Sequence, residues 1–258
     1  MSLTAVRHSP RSLLVALGLI SMMAFGLSAE SPAQMAEACD FEAPSKHPSR
    51  LNVLVVGASG MIGSRILNEA SSRGHCVVGA SRNPEKIAKG PNVKAVKLDA
   101  TDVKAFTALA KKADVIVTST SPRGGGDPIA EAKAVGDAAI ATAKASSKRL
   151  VVVGGAGSLN LPNGTPLVDT LPKQYQGEAR GMRGVLDSLK ASEIDWTFFS
   201  PAASISPGTR TGKYRLGTTT LLSDAKGDSK ISAEDFADAL VNELEKPAHR
   251  RSQMTIAY

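Results

Sequence analysis

A doubly wound parallel α/β sheet is the fold this chain predicts, and three observations carry that expectation. The β-branched run Leu51 to Val56 meets three glycines spaced G-x-x-G-x-x-G, at Gly57, Gly60 and Gly63, and an apolar-periodic helix begins there. Strand-like and helix-like segments then alternate as far as Ser200. Such alternation gives a parallel sheet with helices on both faces and right-handed crossovers. Two predicted strands run into small or hydroxylated residues, Thr118-Ser-Thr-Ser121 and Gly154-Gly-Ala-Gly-Ser158, and open parallel sheets gather ligands at such carboxyl ends. Together these describe a Rossmann-type sheet in a single domain over residues 51–258, with a small C-terminal extension on the substrate side.

Each element follows from its residues. Leu51 to Val56 is almost wholly apolar, as suits a strand buried on both faces. His75 to Ala80 is the second strand and Val93 to Leu98 the third. Asp102 to Lys111 forms a helix and Ala113 to Thr118 the fourth strand. Asp127 to Ala145 is a long alanine-rich helix, followed by a fifth strand from Arg149 to Val153. Pro172 to Lys190 is a helix and Asp195 to Phe199 the sixth strand. Beyond Ser200 the residues Pro201, Pro207 and Gly208 break the alternation, and Gly212 to Leu222 reads as a loop or hairpin. Ser232-Ala-Glu-Asp235 opens a helix that runs to about Glu245: the serine accepts an amide N–H and the acids suit the helix dipole. Gln253 to Tyr258 closes the chain as a strand.

The glycine turn has a mechanical reading. Gly57 permits the tight turn, Gly60 lets a pyrophosphate approach the backbone, and Gly63 lets the helix pack on its strand. Amides at the helix start favour a phosphate group, which makes this a dinucleotide site; a glycine-rich turn without a ligand is the plainer reading. Arg82 follows the second strand, and no acid stands between Gly79 and Pro84. An acid there would take a ribose 2′-hydroxyl, whereas an arginine accommodates a 2′-phosphate, so NADP is favoured over NAD. Asp99 is placed either to accept from an adenine amino group or to cap a turn beside Asp102. Thr118 and Ser119 face ribose and nicotinamide, and Arg123-Gly-Gly-Gly126 forms a mobile loop that either closes on ligand or makes no contact.

Two residues are candidates for chemistry. Ser158 is placed to hydrogen-bond a substrate carbonyl. Tyr175 is a proton donor or simply an exposed aromatic, and the lysine that would complete a hydride-transfer trio is absent, since Ala179 stands four residues on. The four histidines, His8, His47, His75 and His249, show no metal-ligand spacing. No serine sits in a G-x-S-x-G elbow.

Net charge is +7, of which Arg7 and Arg11 at the start supply two and leave +5 for the rest. Aromatics make up 4% and do not interleave with basic residues, which argues against nucleic-acid binding. Arg7 and Arg11 precede an uncharged apolar run, Ser12 to Ala29, with the pattern of a secretory signal cleaved after Ala29. An exported, periplasmic or secreted protein follows. An uncleaved segment would instead give membrane contact, and a start at Met35 would give a cytoplasmic form. Residues 30–50, with Pro32, Pro44 and Pro48, read as a linker. Cys39 in the linker and Cys76 at the second strand either form a disulfide, which an oxidising compartment permits, or remain a free Cys39 and a buried Cys76.

Gly57-Ala-Ser-Gly-Met-Ile-Gly63, Ser81-Arg-Asn-Pro84, Gly154-Gly-Ala-Gly-Ser158 and Asp195-Trp-Thr-Phe-Phe-Ser-Pro201 resemble segments of the atypical short-chain dehydrogenase/reductases. Within them the chain is most similar to the NAD(P)H-binding NmrA-like and NADH-flavin reductase groups, near biliverdin reductase B. Pro207 to Gly212, Ile231 to Ala237 and Thr255 to Tyr258 look like the same group, so the resemblance covers residues 51–258. It implies that Gly57, Ser59, Gly60, Met61, Ile62 and Gly63 hold pyrophosphate, that Arg82 holds the 2′-phosphate, and that Pro201 borders the nicotinamide. It also implies an NAD(P)H-dependent reductase acting on a flat acceptor such as flavin or quinone. The missing Tyr–Lys pair leaves a second reading, a catalytically silent NADP(H)-binding sensor, and disfavours a sugar-nucleotide epimerase.

Overall fold

The computed structural model describes residues 1–2, 39–47, 49–122 and 124–258; the secretory-signal reading, the alternative start at Met35 and Arg123 lie outside the described residues. The first strand, β1 (Asn52–Val56), is buried along its whole length. Its side chains alternate between two apolar layers: Val53 and Val55 join one, Leu54 and Val56 the other. After it come α1 (Met61–Ser72), β2 (Cys76–Ser81), β3 (Val93–Lys97), α2 (Val103–Ala110), β4 (Val115–Thr118), α3 (Pro128–Ser146) and β5 (Arg149–Val153). The chain continues with α4 (Lys173–Lys190), β6 (Trp196–Ser200), β7 (Ser204–Ser206), β8 (Arg215–Gly217), β9 (Lys230–Ser232), α5 (Ala233–Glu245) and β10 (Ser252–Ala257).

The eight-stranded sheet has the order β3-β2-β1-β4-β5-β6-β10-β8. All its pairings are parallel except that of β8 with β10. Ile66 and Leu67 of α1 and Phe236 and Leu240 of α5 cover the Val53 face. Phe106 of α2, Ala139 of α3 and Leu186 of α4 cover the Leu54 face. This is the predicted Rossmann-type sheet with helices on both sides. Strand order reverses at β1, which pairs with β2 on one side and β4 on the other. Val56 stands level with Ala80 and with Thr118, so the carboxyl ends of the three strands share one edge.

The predicted strands and helices recur at nearly the expected positions, with two differences beyond Ser200. Gly212 to Leu222 does not fold back on itself as a hairpin. Its Arg215–Gly217 stretch pairs antiparallel with β10, nearly forty residues on in sequence. The short parallel pair of β7 with β9 has no counterpart in the sequence reading, because three-residue strands are too short to show a period. At the opposite edge from the strand ends, Cys39 and Cys76 are joined by a disulfide, with Cα atoms 5.6 Å apart. Residues 39–47, which read as linker, are tied down there. Asn52 Nδ2 donates to the carbonyls of Asp40 and Ala43, the Asp114 carboxylate accepts from the amides of Ser45 and Asn52, and Glu42 pairs with Lys94 and Lys112.

Two of the three buried carboxylates of helix α5, Asp235 and Glu243, set the response to acid. Asp235 accepts from the amides of Thr211 and Gly212, from Thr211 Oγ1 and from Tyr258 Oη. Burial alone would raise its pKa, but these bonds hold it below the ordinary value. Burial likewise opposes ionisation of Glu243, yet its bonds from the His249 side chain and amide and from Ala248, with the charge of Arg149, lower its pKa. A depressed folded-state pKa gives stability that is full above the unfolded value and is lost as pH falls through the folded one. The urea midpoint is therefore expected to be flat near neutrality and to drop steadily below about pH 4.5, the ordinary value for Glu243. Removing both acids as Asp235→Asn and Glu243→Gln should flatten that drop while lowering the neutral-pH midpoint.

Candidate functional site

A cavity of about 560 Å³ opens over the carboxyl ends of β1, β2 and β4. It lies at the reversal of strand order, where open α/β sheets bind ligands. Gly57, Ser59 and Gly60 line its middle, Arg82 and Asp99 one end, and Thr118, Ser119 and Pro122 the other.

The turn between β1 and α1 is built from backbone contacts too close for side chains. Gly57 has φ +85° and its amide donates to the Ala80 carbonyl at 2.8 Å. A Cβ there would stand 2.2 Å from the Ser119 carbonyl oxygen. A Cβ on Gly63 would stand 2.2 Å from the Gly57 carbonyl oxygen. Gly60 is the N-cap of α1, and no side chain caps that helix. The amides of Met61, Ile62 and Gly63 take no hydrogen-bond partner among the described residues. A helix start in this condition presents donors and a positive dipole end to an anion.

Arg82 is exposed just past β2. Asp99 faces it across the end of the cleft and accepts from the Thr101 amide and hydroxyl through Oδ1. Those two bonds, with the nearby Arg82 charge, lower its pKa. The turn-capping role of Asp99 is therefore present alongside its place in the cleft. Thr118 is buried at the end of β4, and Ser119 donates its amide to the Val56 carbonyl at 2.8 Å.

Six predicted residues are not in the cleft lining: Met61, Ile62 and Gly63 in the first turn of α1, and Ser158, Tyr175 and Pro201. Ser158 is 4% exposed. Its Oγ donates to the Gly155 carbonyl, lies 2.8 Å from Ser200 Oγ and accepts from Gln253 Nε2. It ties the segment after β5 to the sheet. Tyr175 is 56% exposed on the first turn of α4, and Pro201 is buried just past β6.

The cleft also contains residues that sequence reasoning missed. Ala100, and Glu131 and Val135 one turn apart on α3, also line it. Glu131 accepts the amides of both Gly124 and Gly126 at 2.8 Å. The loop expected to be slack is thus held by a carboxylate. The available signal is an acid four residues after the Asp127 cap, behind a triple glycine whose amides need acceptors.

Residues 57–247 match the model of a family described as NAD(P)H-binding. The chain is 38% identical over 218 residues to the uncharacterized protein YwnB of Bacillus subtilis (strain 168), covering 80% of this chain and 98% of that one. A crystal structure from Burkholderia pseudomallei, described as a "putative exported protein", is 42% identical with a TM-score of 0.73, over 81% of this chain and all of the other. One from Streptococcus pneumoniae TIGR4, described as a "putative NADH-flavin reductase", is 27% identical with a TM-score of 0.68, over 80% and 99%.

Proposed function

Because the chain belongs to the NAD(P)H-binding family, we propose that it is an NAD(P)H-dependent oxidoreductase that prefers NADP and serves a flat acceptor such as a flavin or quinone. The observation that carries this reading is the α1 start at the switch point of the sheet, where glycine-only contacts leave three amides without a partner among the described residues. These residues fit a dinucleotide. Gly57, Ser59 and Gly60, with the amides of Met61, Ile62 and Gly63, hold the pyrophosphate. Arg82 holds a 2′-phosphate. Asp99 meets the adenine amino group through Oδ2, the oxygen that Thr101 does not use. Thr118 and Ser119 flank the second ribose and the nicotinamide. When bound, that ring supplies a hydride.

The protein's own contribution is orientation and exclusion of water. Ser158 is spent on interior bonds and Tyr175 stands away from the cleft lining. The acceptor therefore takes its proton from solvent. The same observation favours a second reading, an NADP(H)-binding sensor without turnover. Oxidation of NADPH with a panel of flavins and quinones separates the two; no turnover with any of them sinks the enzyme.

Arg82→Ala is expected to weaken NADPH binding by about 1.5–3 kcal/mol, the scale of a charge-assisted hydrogen bond, and to leave NADH nearly untouched. Titration calorimetry with both nucleotides checks this, and equal losses would overturn the preference for NADP. We further propose that the protein is exported. Support comes from the basic-apolar start of the chain, from the description of the Burkholderia relative, and from a disulfide of the kind that persists in oxidising compartments. The N-terminal residue of protein recovered from its host tests it.

A further inference from the structure

Building on the cofactor reading above, we propose that Glu131 is a positioning residue for the nicotinamide half of the cofactor. Its two carboxylate oxygens are shared out between two loop amides, Oε2 to Gly124 and Oε1 to Gly126, each at 2.8 Å. The glycines are what such a clamp demands. A Cβ on Gly124 or Gly126 would lie 2.8 or 2.9 Å from a Glu131 oxygen, and Gly125 between them has φ +92°. Glu131 itself is fixed. It sits in the first turn of α3, its amide bonded to the Asp127 carbonyl, and Asp127 caps the helix through the Ile129 amide. An acid in this turn is also favoured by the helix dipole.

The sheet order says which part of a dinucleotide this clamp serves. β2, β1 and β4 are consecutive neighbours. Pyrophosphate at the α1 start lies above β1, and Arg82 past β2 takes the adenosine side. The other half of the molecule must then cross toward β4, whose end continues through Thr120 and Pro122 into the clamped glycines. Glu131 thereby sets the wall against which the reactive ring lies, and does so without touching the ring. It is an anchored wall, built on a helix rather than on a slack loop, which is how a site keeps its geometry.

Glu131→Ala and Glu131→Gln, made in the full chain, test this. Amide hydrogen exchange over residues 120–131 should rise strongly in the alanine variant and less in the glutamine variant, which keeps one acceptor oxygen. The Kd for NADPH should rise about tenfold in Glu131→Ala, the scale of one to two net hydrogen bonds. The Kd for adenosine 2′,5′-bisphosphate, which lacks the nicotinamide half, should stay unchanged. Unchanged exchange, or equal losses for both ligands, overturns the positioning role. A wild-type chain that binds neither ligand sinks the cofactor reading instead, and is told apart from failure of the clamp because the exchange arm needs no ligand.

Discussion

Gly63→Ala is expected to destabilise the protein by about 3 kcal/mol or more and to abolish nucleotide binding. The added methyl would stand 2.2 Å from the Gly57 carbonyl oxygen and 2.9 Å from its carbon. Both are backbone atoms, held by the bonds of Gly57 and Ala58 to the Ala80 carbonyl. No rotamer can relieve the clash; α1 must move off β1, at the upper end of what overpacking costs. Moving that helix displaces the amides of Met61 and Ile62, so affinity falls with stability. Gly184→Ala is the control. Gly184 lies on the exposed side of α4, and a methyl added there would meet nothing within 4 Å. There alanine should stabilise by about 0.5–1 kcal/mol through helix propensity. Urea denaturation of the two variants gives opposite signs if the glycine contacts are as described. A Gly63→Ala protein of native stability with intact NADPH binding would refute the account of the turn.

Loss of the Cys39–Cys76 disulfide has the second largest expected effect. The cross-link joins residues 37 apart in sequence. Chain entropy for a loop of that length gives about 4 kcal/mol. For a domain of this size that corresponds to a fall of roughly 8–15 °C in Tm. Cys39→Ser/Cys76→Ser, or reduction of the wild-type protein, should produce it. Amide exchange should rise in residues 39–47, whose other ties include the bonds to Asn52 and Asp114, the surface pairs of Glu42 with Lys94 and Lys112, and the Phe41 ring under Lys94. Nucleotide affinity should hold, because the cross-link sits at the start of β2 and the cleft at its end. Two titratable thiols in the unfolded, unreduced protein would show that the bond does not form.

The fold is legible in the sequence where burial writes a period. β1 reads as buried on both faces because Val53 to Val56 has no polar residue to give, and the alternation of elements forces a parallel sheet. The glycine turn is equally legible, since each glycine answers a separate steric demand. The short strands β7 and β9 leave no signal, and β8 reads as part of a local feature because its partner is the end of the chain. Within the cleft, the backbone donors and Arg82 can be placed by their distance from strand ends. Ser158 cannot. Its position after a strand is the same whether its hydroxyl turns toward the cleft or, as here, toward Ser200 and Gln253. Glu131 is hidden for a related reason, because an acid in a first helical turn is so commonly explained by the dipole.

The placement of Cys76 at the start of β2 has a practical bearing on handling. Its bond to Cys39 lies at the rim where the parallel strands begin, a full strand length away from the mouth of the cleft. Reducing agents added during purification would therefore loosen residues 39–47 at that rim and leave the nucleotide entrance as it is.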